Sequence, residues 1–394
     1  MTVLYFADTR FPIERANGVQ SMATCRALAA RGHDVTLVVR PDNATRPRDP
    51  FTFYGWEPID TLHVQTVAAG GAGPTRRIRY LLAAAHVAVT QRDAVVLTRD
   101  LGLAAWLLQL PKATRPALVY ESHGLADIVA AEMPQLLGQP AFAPSPNKLK
   151  RLARREERVW RRAGAYVTIT QALATELTQR FGPRPNVFVV PDGARPSSRA
   201  SGPPAPAGDR FIAGYAGHLY PWKGVDVFVR ALAQAPGVHG LIVGGHPGER
   251  DLERVRALVQ SLGIESRVTI TGLVPPREVI PLLRAANVLV LPNTASAISE
   301  RYTSPLKLFE YLTLGRAIVA SDLPAVREVL RHDDTAWLVK PGDAGDLAVA
   351  LRALRDHPDD AAALGARAAA LAPFFTWDAR ADKMERALEA ARAS

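Results

Sequence analysis

The chain has 394 residues, of which 48% are hydrophobic and 22% are charged. These fractions are ordinary for globular proteins and exclude a wholly disordered, collagen-like or disulfide-stapled chain. At roughly 100 to 200 residues per domain, the length predicts two domains. The formal net charge is +10, and residues 1–195 alone carry 25 Lys+Arg against 16 Asp+Glu, a balance of +9. We therefore expect an anionic partner at the first half of the chain.

The sequence carries no sign of a membrane or secretory segment. No apolar run approaches the ~20 residues that a membrane helix needs. The opening residues also lack the basic segment and cleavage site of a signal peptide. This favours a soluble cytoplasmic protein. The single cysteine, Cys25, lies in a predicted amphipathic helix, and we expect a buried structural thiol there.

Short apolar runs alternate with helical patterns along both halves of the chain. In the first half the runs are 3–7, 34–39, 62–67, 94–97, 117–120, 166–169 and 187–190. In the second half they are 211–216, 241–243, 268–270, 288–291, 317–320 and 336–339. Strands that are buried on both faces and separated by helices predict parallel sheets. The predicted fold class is α/β, with two doubly wound Rossmann-like domains facing a central cleft.

The predicted domains are 1–195 and 210–373. Residues 196–209 are rich in Pro, Ser, Gly and Ala without apolar periodicity, which indicates a linker. Residues 374–394 follow a break at Pro373 and are predicted to be mainly helical. The simplest role of this last helix is to cap the second domain.

Ligands of such sheets bind beyond the carboxyl ends of the strands. After the first strand, Asn17-Gly18 forms a turn pair ahead of a helix predicted from about Ser21, where backbone N–H groups could face a ligand. An ordinary turn explains this pair equally well. After the fifth strand, His123 precedes Gly124 and is placed to donate a hydrogen bond or a proton. A surface or structural histidine is the alternative.

Three loops of the second half are candidates for nucleotide binding. Residues 217–224 (GHLYPWKG) join a strand to a helix and present Lys223 near the helix N-terminus, which suits a diphosphate. A solvated lysine beside a helix cap is the alternative. Gly245 and Val274 lie in loops after two further strands. Both loops could let the backbone approach a nucleotide, and both also fit ordinary turns.

The most informative segment is 302–312 (YTSPLKLFEYL). Thr303 or Ser304 is predicted to cap a helix whose first residue is Pro305. Lys307 and Glu310 then share one helix face. A pyrophosphate could rest on the helix start, with Glu310 accepting hydrogen bonds from ribose hydroxyls. The alternative is a surface salt bridge of little energetic weight.

Taken together, in order and spacing, these loops resemble the retaining glycosyltransferases of family 4, which have the GT-B fold. The resemblance covers essentially the whole chain and is strongest at 217–224 and at 304–310. It implies a nucleotide-diphosphate-sugar donor, UDP- or GDP-linked, that the second domain binds as a substrate, with no separate cofactor. It implies an acceptor at the first domain and a terminal helix that crosses back to that domain. The implied reaction transfers a sugar with retention, in cell-surface or lipid-linked glycan synthesis.

The resemblance also assigns roles to single residues. It implies that Lys223 holds the diphosphate, that Val274 contacts the base through its backbone and that Glu310 binds the ribose. Gly18 would approach the phosphates or acceptor, and His123 would lie beside the transferring sugar. His123, Lys223 and Glu310 are thus the predicted catalytic residues. The predicted donor-binding residues are Gly18, Gly217, His218, Lys223, Gly245, Val274, Ser304, Pro305, Leu306, Lys307 and Glu310.

Two positions depart from the family pattern. His218 stands where the family commonly has Arg, and Tyr302 stands eight residues before Glu310, where the family has a second Glu. Because that glutamate contacts the hydroxyls of the donor sugar in the family, the resemblance does not indicate which sugar this chain would transfer. No Asp-x-Asp signature follows a strand, so we predict that catalysis is independent of metal.

A strongly basic helix is predicted in the first half. Residues 148–162 hold eight Lys+Arg and two Glu, and Arg76, Arg77 and Arg79 open another helix. Such a helix could bind anionic lipid headgroups, attract an acidic acceptor or simply be solvated. The acceptor could be lipid-linked, a glycan or a small molecule, and the protein could be peripheral on the inner face of the membrane. No nucleic-acid module is evident. The alternative functions are a nucleotide-sugar isomerase or epimerase of the same fold and a non-catalytic nucleotide-sugar binder.

Overall fold

A computed structural model describes residues 1–67, 73–196, 210–248 and 250–394. Apart from Pro196, the predicted linker 196–209 lies outside the described residues. The chain divides into two compact units. Unit 1 comprises Met1–Ala131, Pro144–Asp192 and Trp377–Ser394, and unit 2 comprises Glu132–Ala143 and Gly193–Thr376. Each unit is described by itself.

The described part of unit 1 contains one parallel sheet of seven strands in the order β3-β2-β1-β4-β5-β6-β7. The side chains of 3–6 in the central strand are fully buried, as expected for a strand covered by helices on both faces. The sheet order reverses between β1 and β4, and loops at this reversal are the usual ligand sites of doubly wound sheets. The strands are β1 Thr2–Arg10, β2 Asp34–Arg40, β3 Leu62–Thr66, β4 Val95–Thr98, β5 Ala117–Ser122, β6 Ala165–Thr168 and β7 Val187–Val189.

The helices of unit 1 include one from the end of the chain. Helix α16 (Trp377–Ala393) packs with α1 and with strands β5 and β6. Arg31 at the end of α1 donates a hydrogen bond from Nε to Glu385 of α16 at 2.8 Å. The other helices are α1 Ala16–Ala30, α2 Pro50–Tyr54, α3 Gly73–Thr90, α4 Leu101–Leu107, α5 Ala126–Leu136, α6 Pro146–Arg162 and α7 Gln171–Phe181. Residues 132–136 of α5 are assigned to unit 2.

The described part of unit 2 contains a parallel sheet in the order β10-β9-β8-β11-β12-β13. Alternate residues of its strands enter two separate cores. Val288 and Val290 pack in one core, and Leu289 and Leu291 pack in the other. The sheet is therefore buried on both faces. Its strands are β8 Phe211–Ala216, β9 Val238–Val243, β10 Val268–Ile270, β11 Val288–Leu291, β12 Ala317–Ser321 and β13 Trp337–Val339.

Helices flank this sheet in the alternation that the sequence predicts. They are α8 Val225–Ala233, α9 Arg250–Ser261, α10 Pro276–Leu283, α11 Ala297–Arg301, α12 Leu306–Leu314, α13 Pro324–Arg327, α14 Ala344–Asp356 and α15 Pro358–Ala369. Every predicted apolar run overlaps an observed strand, and the predicted two-domain α/β fold class is confirmed. The prediction for Cys25 is also confirmed, because its thiol is fully buried in α1. Among the described helices, none is both long and apolar enough to cross a membrane.

Candidate nucleotide and sugar sites

The loops after β8 and β9 touch through their backbones at the carboxyl edge of the unit 2 sheet. The N–H of Gly217 donates to the carbonyl of Val243 at 2.9 Å. Gly244 has a φ of +143°, and a Cβ at this position would lie 2.1 Å from the carbonyl oxygen of Gly217. Only glycine fits there, because the contact is with backbone that cannot rotate away. The predicted Gly245 follows directly and packs against Leu219.

The loop after β10 is tied to the same edge. The N–H of Gly244 donates to the hydroxyl of Thr271 at 3.3 Å, and Gly244 forms an isolated bridge with Gly272. Val274 follows two residues later and packs against the core beneath α12. The structure therefore gathers Gly217, Gly245 and Val274 along one edge, each on a different loop.

Lys307 lies beneath the Gly217 loop. Its side chain is buried, with 9% of the residue exposed, and its Nζ stands 4.0 Å from the centre of the Tyr215 ring. Within the described residues this Nζ has no hydrogen-bond partner. A Cβ placed on Gly217 would be 3.9 Å from it. The hydroxyl of Tyr215 donates to the carbonyl of His218 at 2.6 Å, which fixes the loop above the ammonium.

Lys223 ends a short 3-10 turn ahead of α8. Its Nζ is 3.6 Å from the centre of the Trp222 ring, and the described residues offer it no carboxylate. Burial lowers the pKa of Lys223 to about 7. Burial and repulsion from Lys223 hold the pKa of Lys307 well below its usual value, against the opposing charge of Glu310. The two lysines thus repel each other here, and a bound anion would relieve that repulsion.

Glu310 lies one turn into α12, on the same side as Lys307. Burial raises its pKa to about 6, although Lys307 and Arg195 act in the opposite direction. Within the described residues it forms no salt bridge with Lys307. The alternative reading of this pair as a surface ion pair is therefore wrong, because Lys307 is buried and its ammonium makes no contact with a carboxylate.

The start of α12 differs from the predicted one. The helix begins at Leu306, and Pro305 occupies the cap position in an extended conformation, so the predicted cap by Thr303 or Ser304 is wrong. The hydroxyl of Thr303 instead donates to the carbonyl of Ile298 at 2.7 Å. An extended residue after Ser304 is the physical reason, since it places both hydroxyl-bearing residues before the cap position.

The two positions that depart from the family pattern are both occupied by packed rings. The His218 ring stacks on that of Tyr220, with centres 5.0 Å apart and planes nearly parallel. Tyr302 closes α11 and is only 3% exposed. The residue at 302 is thus part of the packing rather than a group that faces a ligand.

In unit 1, Gly18 differs from its prediction. Helix α1 begins at Ala16 rather than near Ser21, so Gly18 lies inside its first turn and not in a loop. The N–H of Gly18 donates to the carbonyl of Arg15 at 2.9 Å. A Cβ at this position would meet the Tyr54 hydroxyl at 2.3 Å and the carbonyl of Ile13 at 2.8 Å. Glycine is therefore required by close packing, and not by a turn with positive φ.

His123 does lie just beyond the carboxyl end of β5. Its Nε2 is 2.6 Å from Oε1 of Glu121, which is fully buried. Arg380 of α16 reaches the same oxygen at 2.8 Å and is only 2% exposed. A histidine, a buried carboxylate and a buried guanidinium therefore form one connected group at this edge of the sheet.

Arginines surround a second acidic group at the ends of β1 and β4. Asp8 accepts hydrogen bonds from Arg76 at 2.8 Å and Arg77 at 2.5 Å, and Arg77 also pairs with Asp100. Arg155 of the basic helix α6 stands beside Arg77 and Asp100 over Gly102. Burial and repulsion from Arg151 and Arg77 lower the pKa of Arg155. The predicted basic helix thus places at least one half-buried arginine on this edge.

Two sequence comparisons decide the family. Residues 210–357 match the family described as glycosyl transferases group 1, and residues 18–193 match the glycosyl transferase 4-like domain. Both matches are to glycosyltransferases and together they cover most of the chain, so the chain belongs to the glycosyltransferases. The prediction that the chain is a glycosyltransferase with the GT-B fold is confirmed.

Relatives and solved structures agree with this family. A D-inositol 3-phosphate glycosyltransferase from Nocardia farcinica is 30% identical over 295 residues, which is 70% of this chain and 61% of that protein. The one from Segniliparus rotundus is 26% identical over 91% of this chain and 81% of that protein. The chain thus spans about three fifths of the first relative's length. Sucrose-phosphate synthase from Thermosynechococcus elongatus has a TM-score of 0.80 at 19% identity, covering 100% of this chain and 99% of its own. Anabaena HepE in complex with UDP and glucose has a TM-score of 0.75 at 18% identity, covering 99% of each chain.

Several residues in these sites of the glycosyltransferase were not anticipated from sequence. Tyr215 carries the ring against Lys307, and Arg195 acts on Glu310. Glu121 directly follows the predicted apolar run 117–120, and the observed strand β5 extends through it to Ser122. A charged residue at the end of a buried strand is the signal that could have found it. Arg380 carried no such signal, because its burial depends on where α16 packs.

Within the described residues, no three His, Cys, Asp or Glu side chains are grouped as metal ligands.

Proposed function

We propose that the protein transfers a sugar from a nucleotide-diphosphate donor to an acceptor, and that unit 2 binds the donor. The observation that carries this proposal is the pair of ammonium groups at Lys223 and Lys307. Burying a charge without a partner costs several kcal/mol. A diphosphate would compensate both charges, and the first-turn amides of α12 would add donors to it.

The remaining donor contacts are assigned from the family resemblance. Glu310 would accept hydrogen bonds from the ribose hydroxyls in its ionised form, as the family resemblance implies. The Gly217 and Gly245 loops would approach the phosphates through their backbones, and Val274 would contact the base. Departure of the nucleoside diphosphate develops negative charge, which the two lysines would stabilise electrostatically.

Retention of anomeric configuration and independence of metal remain part of this proposal. Retention rests on the family resemblance, and NMR analysis of the anomeric configuration of the product tests it. Metal independence rests on the sequence, in which no Asp-x-Asp signature follows a strand. UDP-glucose is the first donor to try, because HepE was crystallised with UDP-glucose as well as with UDP. GDP-linked sugars are the second group of donors to try. Inositol 3-phosphate is the first acceptor to try, because the similar sequences are named for it.

The decisive experiment combines donor binding with turnover. The protein is incubated with a panel of UDP- and GDP-sugars, with and without acceptor, and its thermal stability is recorded with each donor. Selective binding to the folded protein raises the melting temperature. A glycosidic product supports the proposal. If Lys223→Ala and Glu310→Ala leave both binding and turnover intact, the donor site is wrongly placed.

A non-catalytic nucleotide-sugar binder is the second candidate. It is favoured by Tyr302, which is buried where the family has a glutamate that contacts the sugar. The same incubation separates the two functions. A donor that stabilises the protein but yields neither transfer nor hydrolysis with any acceptor would favour the binder.

We also propose that unit 1 receives an anionic acceptor at a membrane surface. Helix α3 exposes Ile78 and Leu82, which are one turn apart and 57% and 58% exposed. Arg77 of the same helix lies beside Arg155 of the basic helix α6. Apolar side chains flanked by arginines fit the interface of an anionic bilayer.

Cosedimentation with phosphatidylglycerol vesicles tests this surface. We expect binding at low salt that weakens when Ile78 and Leu82 are changed to Ser or when Arg151 and Arg155 are changed to Gln. Arg256→Gln in unit 2 is the control, because this arginine is exposed but lies outside the surface. No binding, or equal loss in the control, would remove the membrane from the proposal and leave a water-soluble anionic acceptor.

A further inference from the structure

Three donors converge on one oxygen of a fully buried carboxylate in unit 1. Oε1 of Glu121 lies 2.6 Å from Nε2 of His123, 2.7 Å from Nε2 of Gln20 and 2.8 Å from Nη2 of Arg380. Arg380 comes from α16 and is itself anchored, because it donates to the carbonyl of Val190 at 2.7 Å. The group therefore joins β5, α1 and α16 at the carboxyl edge of the sheet.

The carboxylate of Glu121 is ionised in this group. Burial alone would raise its pKa, but Arg380, His123 and Arg99 outweigh burial and hold the pKa well below its usual range. Arg99 does not touch Glu121 and instead donates to the side-chain oxygen of Gln20. An ionised carboxylate can only accept hydrogen bonds. Nε2 of His123 must therefore carry a hydrogen.

The other ring nitrogen of His123 is then fixed as an acceptor. Burial and the nearby Arg99 lower the pKa of His123 to about 4, although Glu121 acts in the opposite direction. The ring is thus neutral near pH 7, with its hydrogen on Nε2 and a lone pair on Nδ1. Nδ1 has no partner within the described residues, and 23% of the side chain is exposed. The charged groups that act on this ring are Glu121, Arg99 and Arg380.

We propose that Glu121 and Arg380 are positioning residues that hold His123 as the neutral Nε2–H tautomer, so that Nδ1 accepts a hydrogen bond from a carbohydrate hydroxyl. This inference rests on the proposed glycosyl transfer. It reverses the expectation that His123 donates a hydrogen bond or proton. It also gives the terminal helix a role in the site of unit 1, because Arg380 is what keeps the buried carboxylate charged.

The tautomer is measured first on the wild-type protein without substrate. Long-range ¹⁵N–¹H correlation spectra of the ¹⁵N-labelled protein distinguish a protonated from an unprotonated ring nitrogen, and His123→Gln assigns the signal among the nine histidines. We expect Nε2 protonated and Nδ1 unprotonated at pH 7. A hydrogen on Nδ1, or a charged ring at pH 7, would overturn the proposal. This measurement needs no enzymatic activity, so it stands even if the proposed function fails.

The kinetic test compares Glu121→Gln with a control at another contact of α16. Glu121→Gln removes the charge that selects the tautomer, and we expect roughly 10- to 100-fold lower kcat for transfer, as for other residues that orient a functional histidine. Arg31→Ala is the control, because Arg31 binds Glu385 of α16 but does not contact Glu121. We expect it to keep the wild-type kcat and tautomer. Equal losses in both variants would mean that only the packing of α16 matters, and would overturn the proposal.

Two rates identify the source of the hydroxyl. If the slow hydrolysis of the donor without acceptor falls together with transfer in Glu121→Gln, Nδ1 accepts from the donor sugar. If only transfer falls and KM rises for the acceptor, the hydroxyl belongs to the acceptor. A variant with wild-type rates in both reactions would refute any positioning role.

Discussion

Replacing Lys307 by Met should stabilise the ligand-free protein and abolish tight donor binding. Lys307 is buried, its ammonium has no partner within the described residues, and Lys223 repels it. Met has a similar length and volume and removes the charge. Replacing a buried charge by a packed apolar side chain gains about 1–3 kcal/mol in comparable cases. For a domain of this size the gain corresponds to a rise in melting temperature of roughly 2–10 °C.

The pH dependence of this gain has a defined sign. A lysine whose pKa is lower in the folded than in the unfolded state binds fewer protons when folded, so the stability of the wild-type protein rises with pH between the two pKa values. The penalty is full below the pKa of the folded state and fades toward the ordinary lysine value of about 10.5. The advantage of Lys307→Met should therefore be largest at low pH and shrink as the pH rises.

Donor binding should change in the opposite direction. Loss of a buried phosphate contact costs about 2–5 kcal/mol, which means at least roughly 30-fold weaker binding of UDP-glucose. A ligand at 100 times its Kd stabilises the wild-type protein by about 2.7 kcal/mol. At the same concentration a variant with roughly 30-fold weaker binding gains only about 0.9 kcal/mol. UDP-glucose should therefore raise the melting temperature of the wild type clearly more than that of Lys307→Met.

Differential scanning fluorimetry with and without UDP-glucose checks both effects. Lys340→Met is the matched control, because Lys340 is an exposed lysine of the same unit, and we expect it to change neither stability nor binding. A Lys307→Met protein that melts below the wild type without ligand, yet has an intact circular dichroism spectrum, would refute the account of the buried charge. Unchanged UDP-glucose affinity would refute its role in the donor site.

Three further predictions concern the same unit. The affinity for UDP-glucose should fall above about pH 7, where Lys223 loses its proton, and below about pH 6, where Glu310 gains one. Isothermal calorimetry across this pH range should show that the loss of affinity above pH 7 becomes smaller in Lys223→Arg. A wild-type affinity that does not change with pH would contradict both assignments. Gly244→Ala should lose about 1–3 kcal/mol of unfolding free energy in urea, because its Cβ would lie 2.1 Å from the Gly217 carbonyl oxygen, and an unchanged midpoint would show that the loops can separate freely. Chelation by EDTA should leave the transfer rate unchanged, whereas a loss that one divalent cation restores would show that a metal takes part.

The strand pattern was predictable because burial on both faces produces apolar runs that interrupt the helical periodicity. The same logic located Lys223, His123 and Glu310, since each follows or closely adjoins a predicted strand or helix end. Gly18 was misplaced by about one helical turn, because Asn17-Gly18 also fits a loop. What requires a glycine there is the Tyr54 hydroxyl, and Tyr54 lies 36 residues away in sequence. A local pattern carries no information about such a contact.

Charge compensation between residues far apart in the chain is the other feature that could not be predicted from the sequence. Glu121 is an isolated acidic residue directly after an apolar run, and Arg380 is one of several arginines in a polar helix. Neither residue indicates the other from sequence. Only the packing of α16 against β5 explains why a carboxylate can be buried and remain charged. In the sequence Lys307 looks like an ordinary lysine on a helix surface. Its burial, too, depends on long-range packing that the sequence does not show.

The burial of Tyr302 bears on how a donor sugar could be selected. A carboxylate at this position would need solvent or a ligand, yet Tyr302 is 3% exposed at the end of α11, where Arg301 lies 5.5 Å from its ring. Substituting Glu would bury a charged carboxylate where a ring now packs, so we expect loss of stability rather than recovery of a sugar contact. We then expect selection among sugars to come from backbone groups and from the residues of the proposed donor site, of which Lys307 and Glu310 are the charged ones in α12. A donor panel repeated on Tyr302→Phe, which keeps the ring, should therefore show the wild-type order of preference, and a changed order would return this position to the sugar site.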